Sequence, residues 1–549
     1  MRSKVNPENG RTAHSPRNIR SMHAESVRTS GSSPSLLPNG ASNHQGIRKS
    51  PNKPLRIMKF GGTSVGDASC VQRVVEIIQA ASKESDIVVV VSAMSGVTNK
   101  LIEAAVQSED SNREAVARIF TELRQQHGAA VTALIESDTE RNRIGQQMQE
   151  LFREGERLCE GTMLLHELTP RVRDAISSLG ERLSAPLLAA VLDESGLRSQ
   201  CIEASELVVT DSYHGGAEPW LDRTRERSVA RLQPLIQQGV VPVVTGFIGA
   251  TEDGVLTTLG RGGSDYSATI LGTALDADEV IIWTDVDGLL TADPRLVPDA
   301  CLISEISYRE AAELAYFGAK VLHPKTLHPV VQQGIPLRIR NTFAPEKMGT
   351  KITPAGCTNG GGVTALAAVT DAAMITVGGP GLVGVQDVLG RTFATTTAVR
   401  SDVLLISQSS SQSDICLVVS SAHAKRTVEA LRHEFSHDLA HEKAEHITLD
   451  ATVAIVTVVG QKVRGMAGVT GRIFAALGRE NVDVIAMAHG ASASNLSLVV
   501  ARKDVKAAVV AAHREFQLGE LQAAMFPVSA SDRSVAWVYE SERTGSDRD

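Results

Sequence analysis

Between residues 55 and 352 the sequence alternates short runs of valine and isoleucine with segments long enough to form helices. Several of these runs, 87–91, 240–244 and 280–283, are apolar at every position instead of every second one, and 337–339 is a further short strand-like run. Continuous runs of this length are typical of strands buried on both faces of a parallel sheet. The pattern predicts an α/β fold, in which ligands bind beside the carboxyl ends of the strands.

Composition and charge exclude several classes of protein. Hydrophobic residues make up 42% of the chain but aromatic residues only 3%, so aliphatic side chains must fill the cores. A formal net charge of −8 argues against nucleic acid as a partner, because binding a phosphate backbone requires a basic surface. No run approaches the ~18 apolar residues of a membrane span, so we expect no membrane partner. The six cysteines have neither C-x-x-C nor zinc-site spacing, which favours reduced thiols and a cytoplasmic location.

Two glycine-rich motifs lie far apart in the chain, K-F-G-G-T-S at 59–64 and G-R-G-G-S-D at 260–265. Each follows a strand-like run and precedes a helix-like pattern. In the first, a lysine at a strand end and two glycines before a helix can bind phosphate oxygens. In the second, Arg261 can bind a carboxylate or phosphate through two bonds, and Asp265 can orient a lysine or a metal ion. Either motif alone could be a chance cluster of turn glycines, but together they predict phosphoryl transfer to an acidic substrate.

Two other kinase architectures are excluded by their own phosphate-binding motifs. Gly61 and Gly66 have the spacing of the two P-loop glycines, but Asp67 and Ala68 stand where Lys and Ser or Thr are required. The sequence also contains no H-R-D or D-F-G triplet, which excludes a protein kinase.

The two motifs and their setting resemble those of the amino-acid kinase family, and within it the aspartate kinases. The resemblance extends from about residue 53 to residue 516. It implies a mostly parallel sheet covered by helices, with ATP and L-aspartate as substrates and Mg²⁺ arriving with ATP. It further implies phosphorylation of the aspartate 4-carboxylate, the first step towards lysine, threonine and methionine. We expect no general base, because a carboxylate acceptor is already ionised at neutral pH.

The resemblance assigns the phosphate side of the site to the first motif. Lys59 would bridge the transferring phosphoryl group, and Phe60 would contact ATP. Gly61 and Gly62 would donate their N–H groups to phosphate oxygens. Asp265 would hold Lys59 in place, although the N-cap of a following helix is a competing role for it.

The acceptor side would be formed by residues from three parts of the chain. Arg261 would bind a carboxylate of aspartate, with an ordinary surface arginine as the alternative. Glu181 would receive the substrate ammonium and Thr98 would contact the acceptor; taken alone, these two would be a helix-start glutamate and a cap. The same pocket would be lined by Gly262, Gly263 and Ser264. One cation, one anion and hydroxyl groups are complementary to an amino-acid zwitterion.

The run W-T-D-V-D-G-L-L-T-A-D-P-R at 283–295 resembles the adenosine and phosphate segment of the family. Thr284, Asp285 and Arg295 are its best candidates for contacting ATP. Leu290 replaces the usual tyrosine, which removes a ring contact with the nucleotide. Lys320 resembles a second basic contact to ATP.

Beyond a linker at 353–362 the sequence repeats itself. Residues 375–408 align without gaps on 456–489, an offset of 81. Each copy has the pattern strand, glycine loop, helix, strand, turn, strand. The repeat resembles the ACT domain, a βαββαβ module that pairs side by side and binds amino acids. This implies feedback regulation and a homo-oligomer assembled through these domains.

Both copies are most similar to the ACT pair of the fused aspartate kinase–homoserine dehydrogenases. In that group a glutamine after the strand contacts threonine, and Gln408 stands at this place in the first copy. His489 stands there in the second copy, which leaves the effector at that site open. Threonine is therefore favoured over lysine as the feedback amino acid. Few residues follow Phe516, too few for a dehydrogenase domain, so we expect a kinase alone.

The sequence thus divides into a series of predicted segments. They are a disordered tail (1–53), a catalytic domain (54–352) with a helical insertion (about 101–178), the linker (353–362), ACT-like domains (363–440 and 451–527) and a C-terminal segment (528–549). The tail has few branched apolar residues, too few to offset the entropy of ordering it. A targeting segment and a mis-assigned translation start are alternatives for this tail.

Two other functions are open at this point. The first is an amino-acid kinase acting on glutamate or N-acetylglutamate, which Glu181, Arg261 and the two ACT copies disfavour. The second is an amino-acid sensor with an inactive kinase domain, which the complete set of candidate residues disfavours.

Overall fold

A computed structural model describes most of the chain between residues 53 and 519. The described ranges are 53–318, 321–356, 362–379, 385–408, 414–441, 446–461, 463, 468–490 and 494–519. Several predicted features lie outside these ranges: the tail up to residue 52, Lys320, residues 357–361 of the linker and everything after residue 519.

The catalytic half is built on an eight-stranded sheet. Its strands and a neighbouring hairpin are β1 (Leu55–Phe60), β2 (Asp86–Val91), β3 (Ser199–Ile202), β4 (Val241–Thr245), β5 (Ile248–Ala250), β6 (Leu256–Thr258), β7 (Glu279–Thr284), β8 (Glu305–Ser307), β9 (Leu337–Asn341) and β10 (Thr350–Thr353). The sheet order is β3-β4-β2-β1-β7-β9-β10-β8, and β5 pairs with β6. All neighbours in the large sheet are parallel except β9 and β10. The predicted α/β fold is confirmed, and the four strand-like runs are β2, β4, β7 and β9.

Helices pack against both faces of this sheet. They are α1 (Ala68–Ser82), α2 (Val97–Glu109), α3 (Arg113–Leu134), α4 (Asp138–Leu165), α5 (Pro170–Glu194), α6 (Leu221–Gln237), α7 (Gly263–Ala274), α8 (Tyr308–Tyr316) and α9 (Pro324–Gln333). Val89 of β2 belongs to the core formed with α1–α5, whereas Val88 belongs to the core on the α6 and α7 side. Because successive residues of a strand face opposite sides, both cores require apolar residues and the run is continuous. The stretch 101–178 consists of most of α2, of α3 and α4, and of the start of α5.

Helix α5 is the longest apolar element of the catalytic half. Thr169 caps it by accepting a hydrogen bond from the Val172 N–H, and Pro170 occupies its first turn, where no backbone donor is needed. Its length and mean hydropathy of 1.2 match those of a membrane span, but 89% of that apolar window is buried inside the protein. Among the described residues it is the helix with these properties, and it packs as a core helix.

The remaining elements form two antiparallel sheets with helices. They are β11 (Ala365–Val369), β12 (Ala372–Gly378), α10 (Val385–Ala398), β13 (Val403–Gln408), β14 (Asp414–Ser420), α11 (Ser421–Glu434), α12 (Ser436–Ala440), β15 (His446–Asp450), β16 (Val453–Val459), α13 (Val469–Arg479), β17 (Val484–His489), β18 (Asn495–Ala501) and α14 (Val505–Glu515). Strands β12, β13 and β14 fall on β16, β17 and β18 with the offset of 81 that the sequence repeat gives.

The strand pairing within the two sheets does not follow the predicted domain boundaries. The sheet orders are β13-β14-β12-β15 and β11-β16-β18-β17. Strand β11, placed by sequence in the first ACT-like domain at 363–440, pairs with β16 of the second. Strand β15 lies between the two predicted domains and completes the first sheet beside β12. The first ACT-like unit is therefore inserted into the second, which a linear division of the sequence does not reveal.

Candidate active site

Lys59 lies at the carboxyl ends of two adjacent central strands. It is in β1, and its side chain is nearly buried. A Cβ added to Gly61 would lie 3.6 Å from the Lys59 amine and 3.5 Å from the Trp283 carbonyl of β7. The amine forms an ion pair of 2.5 Å with the carboxylate of Asp265, in the first turn of α7. The two glycine-rich motifs, two hundred residues apart in sequence, therefore meet at one point.

The backbone of both motifs makes contacts that the sequence did not predict. The Gly61 N–H donates to the Trp283 carbonyl at 3.0 Å, so it would have to release this partner to bind a phosphate oxygen. Gly62 also allows close packing, since a Cβ there would lie 3.0 Å from the Ala93 carbonyl. The residue capping α7 is Gly262, so the competing N-cap role for Asp265 is wrong.

Glu181 is buried beside the second motif. Its Oε1 accepts a hydrogen bond of 3.4 Å from the Ser264 hydroxyl, and its Oε2 has no hydrogen-bond partner among the described residues. Burial raises the pKa of Glu181 to about 7, although the backbone N–H groups of Ala93 and of Glu181 itself, the Ser264 hydroxyl and the Lys59 charge oppose the shift. Removal from water is thus the largest influence on the pKa of this carboxyl. A buried carboxyl with one free oxygen is suited to receiving a cationic group.

Glycine at position 180 explains how Glu181 reaches this place. A Cβ on Gly180 would lie 2.6 Å from the Ala93 Cβ and 3.5 Å from Val97 of α2. The missing side chain lets α5 lie against the end of β2 and the start of α2. Thr98, the second residue of α2, is half-buried on the helix that makes this contact.

Arg261 lies directly before α7, in backbone confined by glycines. Gly262 has a φ of +69°, and a Cβ there would lie 2.7 Å from the Cβ of His323. Burial, then the charges of Lys325 and Arg261, lower the pKa of His323, which accepts a hydrogen bond from the Lys325 N–H and caps α9. A neutral His323 therefore forms one wall beside the guanidinium. The structure brings Arg261 to the same end of the sheet as Lys59, Asp265, Glu181 and Ser264.

The nucleotide candidates follow β7. Thr284 ends this strand and its hydroxyl donates to Asp285 at 3.1 Å. Leu290 forms an isolated antiparallel bridge with Leu302. Arg295 is exposed, and its guanidinium is bound in a bidentate manner by Asp293, at 2.6 Å for the shorter ion-pair distance. Contact with a phosphate would require Arg295 to release this partner.

Sequence analysis missed three residues that hold this segment. Asp287 accepts hydrogen bonds from the Asn341 side-chain amide at 2.7 Å and from the Lys347 amine at 3.0 Å. Asn341 ends β9, which lies beside β7 in the sheet. The sequence offered one signal for this contact, the polar Asn341 close to the end of a predicted strand. The pairing of β9 with β7 could not be predicted from the sequence.

The segment after β7 is also held by the second ACT-like unit. The Leu366 N–H of β11 donates to the Thr291 carbonyl at 2.8 Å. The Thr291 hydroxyl is hydrogen-bonded to His513 Nε2 of α14 at 3.0 Å, in a buried position. Burial lowers the pKa of His513, so it is neutral near pH 7. The candidate nucleotide segment therefore packs directly on the repeat region.

The two predicted effector residues end equivalent edge strands. Gln408 is the last residue of β13 and His489 the last of β17, and both are exposed. A cavity of about 230 Å³ lies between these strands. His489 lines it together with Ile406, Asn495 and Phe317, which follows α8 of the catalytic half. Gln408 is two residues beyond Ile406 and does not line the cavity.

Comparison with known proteins agrees with this geometry. Residues 54–341 match the amino acid kinase family, and residues 375–435 and 456–516 each match an ACT domain. The bifunctional aspartokinase/homoserine dehydrogenase 1 of Arabidopsis thaliana chloroplasts is 33% identical over 472 residues, 84% of this chain and 51% of that protein. The chloroplastic aspartokinase 1 of the same plant is 32% identical over 84% of this chain and 80% of that protein.

Among solved structures, E. coli aspartokinase III in complex with aspartate and ADP has a TM-score of 0.72 and 30% identity. The match covers 84% of this chain and all of that one. The chain spans about half the length of the bifunctional relatives it matches. The chain belongs to the amino acid kinase family, and within it to the aspartokinases with a tandem ACT region.

Proposed function

We propose that this protein is an aspartate kinase, which transfers the γ-phosphoryl group of ATP to the 4-carboxylate of L-aspartate. The observation that carries the proposal is the meeting of Lys59, Asp265, Glu181 and Ser264 at the carboxyl ends of β1 and β7. This meeting supports a phosphate-binding role for Lys59 and a zwitterion-binding role for Glu181 and Ser264 at the edge of the sheet where ligands of such folds bind. The aspartokinase with this fold that was solved with aspartate and ADP supports the same assignment.

In this proposal each residue acts on charge or position. Arg261 binds a carboxylate of aspartate and the buried Glu181 carboxyl binds its ammonium, which directs the 4-carboxylate towards Lys59. A carboxylate oxygen forms a bond to the γ-phosphorus while the bond to the β,γ-bridging oxygen breaks, and ADP leaves. Lys59, held by Asp265, neutralises charge on the phosphoryl oxygens. No proton is removed, because the acceptor is already ionised.

Mg²⁺ fits this site as a partner of ATP. Within the described ranges, no group of three or more His, Cys, Asp or Glu side chains is arranged to hold a metal ion. We propose that the ion arrives with ATP and is held mainly by phosphates and water. When bound, Mg²⁺ would supply neutralisation of the phosphate charge.

The acceptor is tested by a substrate panel. Aspartate, glutamate and N-acetylglutamate are each offered with ATP, and acyl phosphate is trapped with hydroxylamine as the hydroxamate. We expect the hydroxamate with aspartate and little with the others. N-acetylglutamate lacks the free ammonium that Glu181 would bind, and glutamate carries its side-chain carboxylate one methylene further from that ammonium. Faster turnover of N-acetylglutamate or glutamate would assign the chain to another acceptor. ATP binding without any hydroxamate would favour an amino-acid sensor.

The pKa of Glu181 gives a pH dependence. Only the ionised carboxylate can pair with the substrate ammonium, and a pKa of about 7 leaves the group mostly protonated below that pH. We expect kcat/KM for aspartate to fall about tenfold between pH 8 and pH 6, while KM for ATP changes little. The Glu181→Gln variant should have a low and nearly flat profile. An unchanged slope in that variant would remove Glu181 as the titrating group.

For regulation, we propose feedback by an amino acid that binds the ACT-like units, with threonine favoured over lysine, in a homo-oligomer assembled through them. The cavity between β13 and β17, which His489 lines, and the contact of Thr291 with His513 support a route to the nucleotide segment. The cytoplasmic location of the protein stays a prediction.

The effector is tested by titrating activity with threonine and with lysine. We expect threonine to inhibit at lower concentration, and Gln408→Ala to raise its inhibitory concentration about tenfold or more, the loss of one or two hydrogen bonds. His489→Ala serves as the matched variant at the equivalent position of the second copy. Stronger inhibition by lysine, or an unchanged threonine response in Gln408→Ala, would overturn the assignment.

A further inference from the structure

Asp174, in the second turn of α5, holds a loop from elsewhere in the chain. Its side chain is only 3% exposed. One oxygen accepts hydrogen bonds from His214 Nδ1 at 2.9 Å, from the Gly215 N–H at 3.0 Å and from the Thr258 N–H at 3.2 Å. The other accepts from the Thr258 hydroxyl at 2.5 Å. A buried carboxylate is costly unless it is fully hydrogen-bonded, and these four bonds meet that need.

The bonds of Asp174 do not serve its own helix. Thr169 caps α5, and Asp174 lies beyond the turn whose N–H groups need a cap. All four of its donors belong to the backbone or side chains of the loop 211–219 and of β6. Since His214 and Gly215 stand at the turn of this loop, Asp174 fixes the loop where it bends.

The same loop touches the second glycine-rich motif (260–265), called the acceptor motif below because it contains Arg261. A Cβ on Gly260 would lie 3.0 Å from the Gly215 carbonyl and 3.2 Å from the Gly216 Cα. Gly215 and Gly260 have φ values of +84° and +78°, a left-handed conformation that favours glycine. Backbone thus packs on backbone directly before Arg261. A shift of Gly215 towards Gly260 would therefore displace Gly260 or clash with it.

A second wall stands on the other side of Arg261. Gly262 lies against His323, and the loop is joined to that wall by an ion pair of 2.8 Å between Glu218 and Lys325. The backbone of Arg261 is therefore confined between the loop held by Asp174 and the start of α9. This ion pair is exposed and contributes little by itself, so the buried Asp174 bonds are the stronger restraint.

We infer that Asp174 is a positioning residue for the acceptor: by holding His214 and Gly215 against Gly260, it fixes Arg261 where it binds the substrate carboxylate. The inference rests on the proposed function. Phosphoryl transfer depends on placing the acceptor accurately, and a misplacement of about 1 Å can cost roughly 100-fold. The effect should therefore fall on the acceptor and spare ATP, whose candidate residues lie after β7.

Two substitutions at this position separate geometry from charge. In Asp174→Asn the amide oxygen can accept the three N–H bonds and the amide nitrogen can donate to the Thr258 hydroxyl, so the loop is retained. We expect KM for aspartate within about threefold of wild type in this variant. Asp174→Ala removes all four bonds and should raise that KM about 10- to 100-fold, with KM for ATP within about threefold.

The matched control is Asp193→Ala. Asp193 also lies on α5 and also accepts a backbone bond, from Ser199 at 3.1 Å, but it has no contact with the acceptor motif. It should leave both KM values unchanged. If Asp174→Ala fails to fold, Thr258→Val, which removes one of the four bonds, should raise KM for aspartate severalfold and selectively.

Each result decides the inference. A selective rise in KM for aspartate in Asp174→Ala or Thr258→Val, with recovery in Asp174→Asn, supports it. Equal rises in both KM values, or a change in thermal stability alone, would make Asp174 structural and overturn it. If the wild-type enzyme phosphorylates aspartate but these variants keep its KM for aspartate, the inference is overturned and the proposed function remains. Absence of aspartate phosphorylation by wild type instead removes the proposed function and, with it, this role.

Discussion

The Lys59→Ala variant should bind aspartate and yet lose phosphoryl transfer, with kcat lower by about 1,000-fold, or roughly 4 kcal/mol of transition-state stabilisation. The reason is the place of the amine: it is nearly buried, at the carboxyl ends of β1 and β7, where water screens its charge weakly. Charge developing on the phosphoryl oxygens would lose this buried cation. Steady-state kinetics with hydroxamate detection measures the loss.

Asp265 should act as one unit with Lys59. The two form the 2.5 Å ion pair, so Asp265→Asn should also lower kcat strongly, and the double variant should be little worse than either single variant. The exposed Lys503, in the second ACT-like unit, provides a control, and Lys503→Ala should retain full activity. Additive losses in the double variant, or a mild effect of Lys59→Ala, would contradict the role given to the pair.

The Arg261→Ala variant should raise KM for aspartate about 10- to 100-fold while KM for ATP changes by less than about threefold. A hydrogen-bonded contact between charged groups contributes about 1.5–3 kcal/mol, which corresponds to this range. Arg261→Lys should recover only part of the loss, because an ammonium cannot bind a carboxylate through a planar fork. Initial rates over a grid of both substrates give the two constants.

A crossed comparison sharpens this test. Arg295→Ala removes the exposed guanidinium paired with Asp293 in the nucleotide segment, so it should raise KM for ATP and spare aspartate. Opposite selectivity in the two arginine variants is the expected outcome. Equal effects of Arg261→Ala on both substrates would remove its assigned contact with the acceptor.

Sequence patterns were sufficient for the parts of this protein in which local chemistry dictates structure. Continuous apolar runs predicted β2, β4 and β7, since a strand between two cores is mostly apolar on both faces, and a shorter strand-like run predicted β9. The 81-residue repeat predicted corresponding strands in the two ACT-like units. The lysine and glycines of the first motif, and the Arg-Gly-Gly-Ser-Asp of the second, predicted the edge of the sheet at which a site would form.

Features that depend on tertiary pairing were not predictable in the same way. The Gly61 N–H is occupied because β7 happens to lie beside β1, and Asp265 turns to Lys59 because the cap of α7 is Gly262. The pairing of β11 with β16 and of β15 with β12 depends on contacts between distant parts of the chain. Asp174 carries no motif of its own, and its importance emerges from the loop that it holds.

The most direct test of this account is a crystal structure with aspartate and a non-hydrolysable ATP analogue. The account predicts a 4-carboxylate oxygen about 3–3.5 Å from the γ-phosphorus, with the Lys59 amine on the phosphate oxygens and the Arg261 guanidinium on a carboxylate of the same aspartate. Aspartate bound away from Arg261, or nucleotide bound away from Lys59, would contradict it.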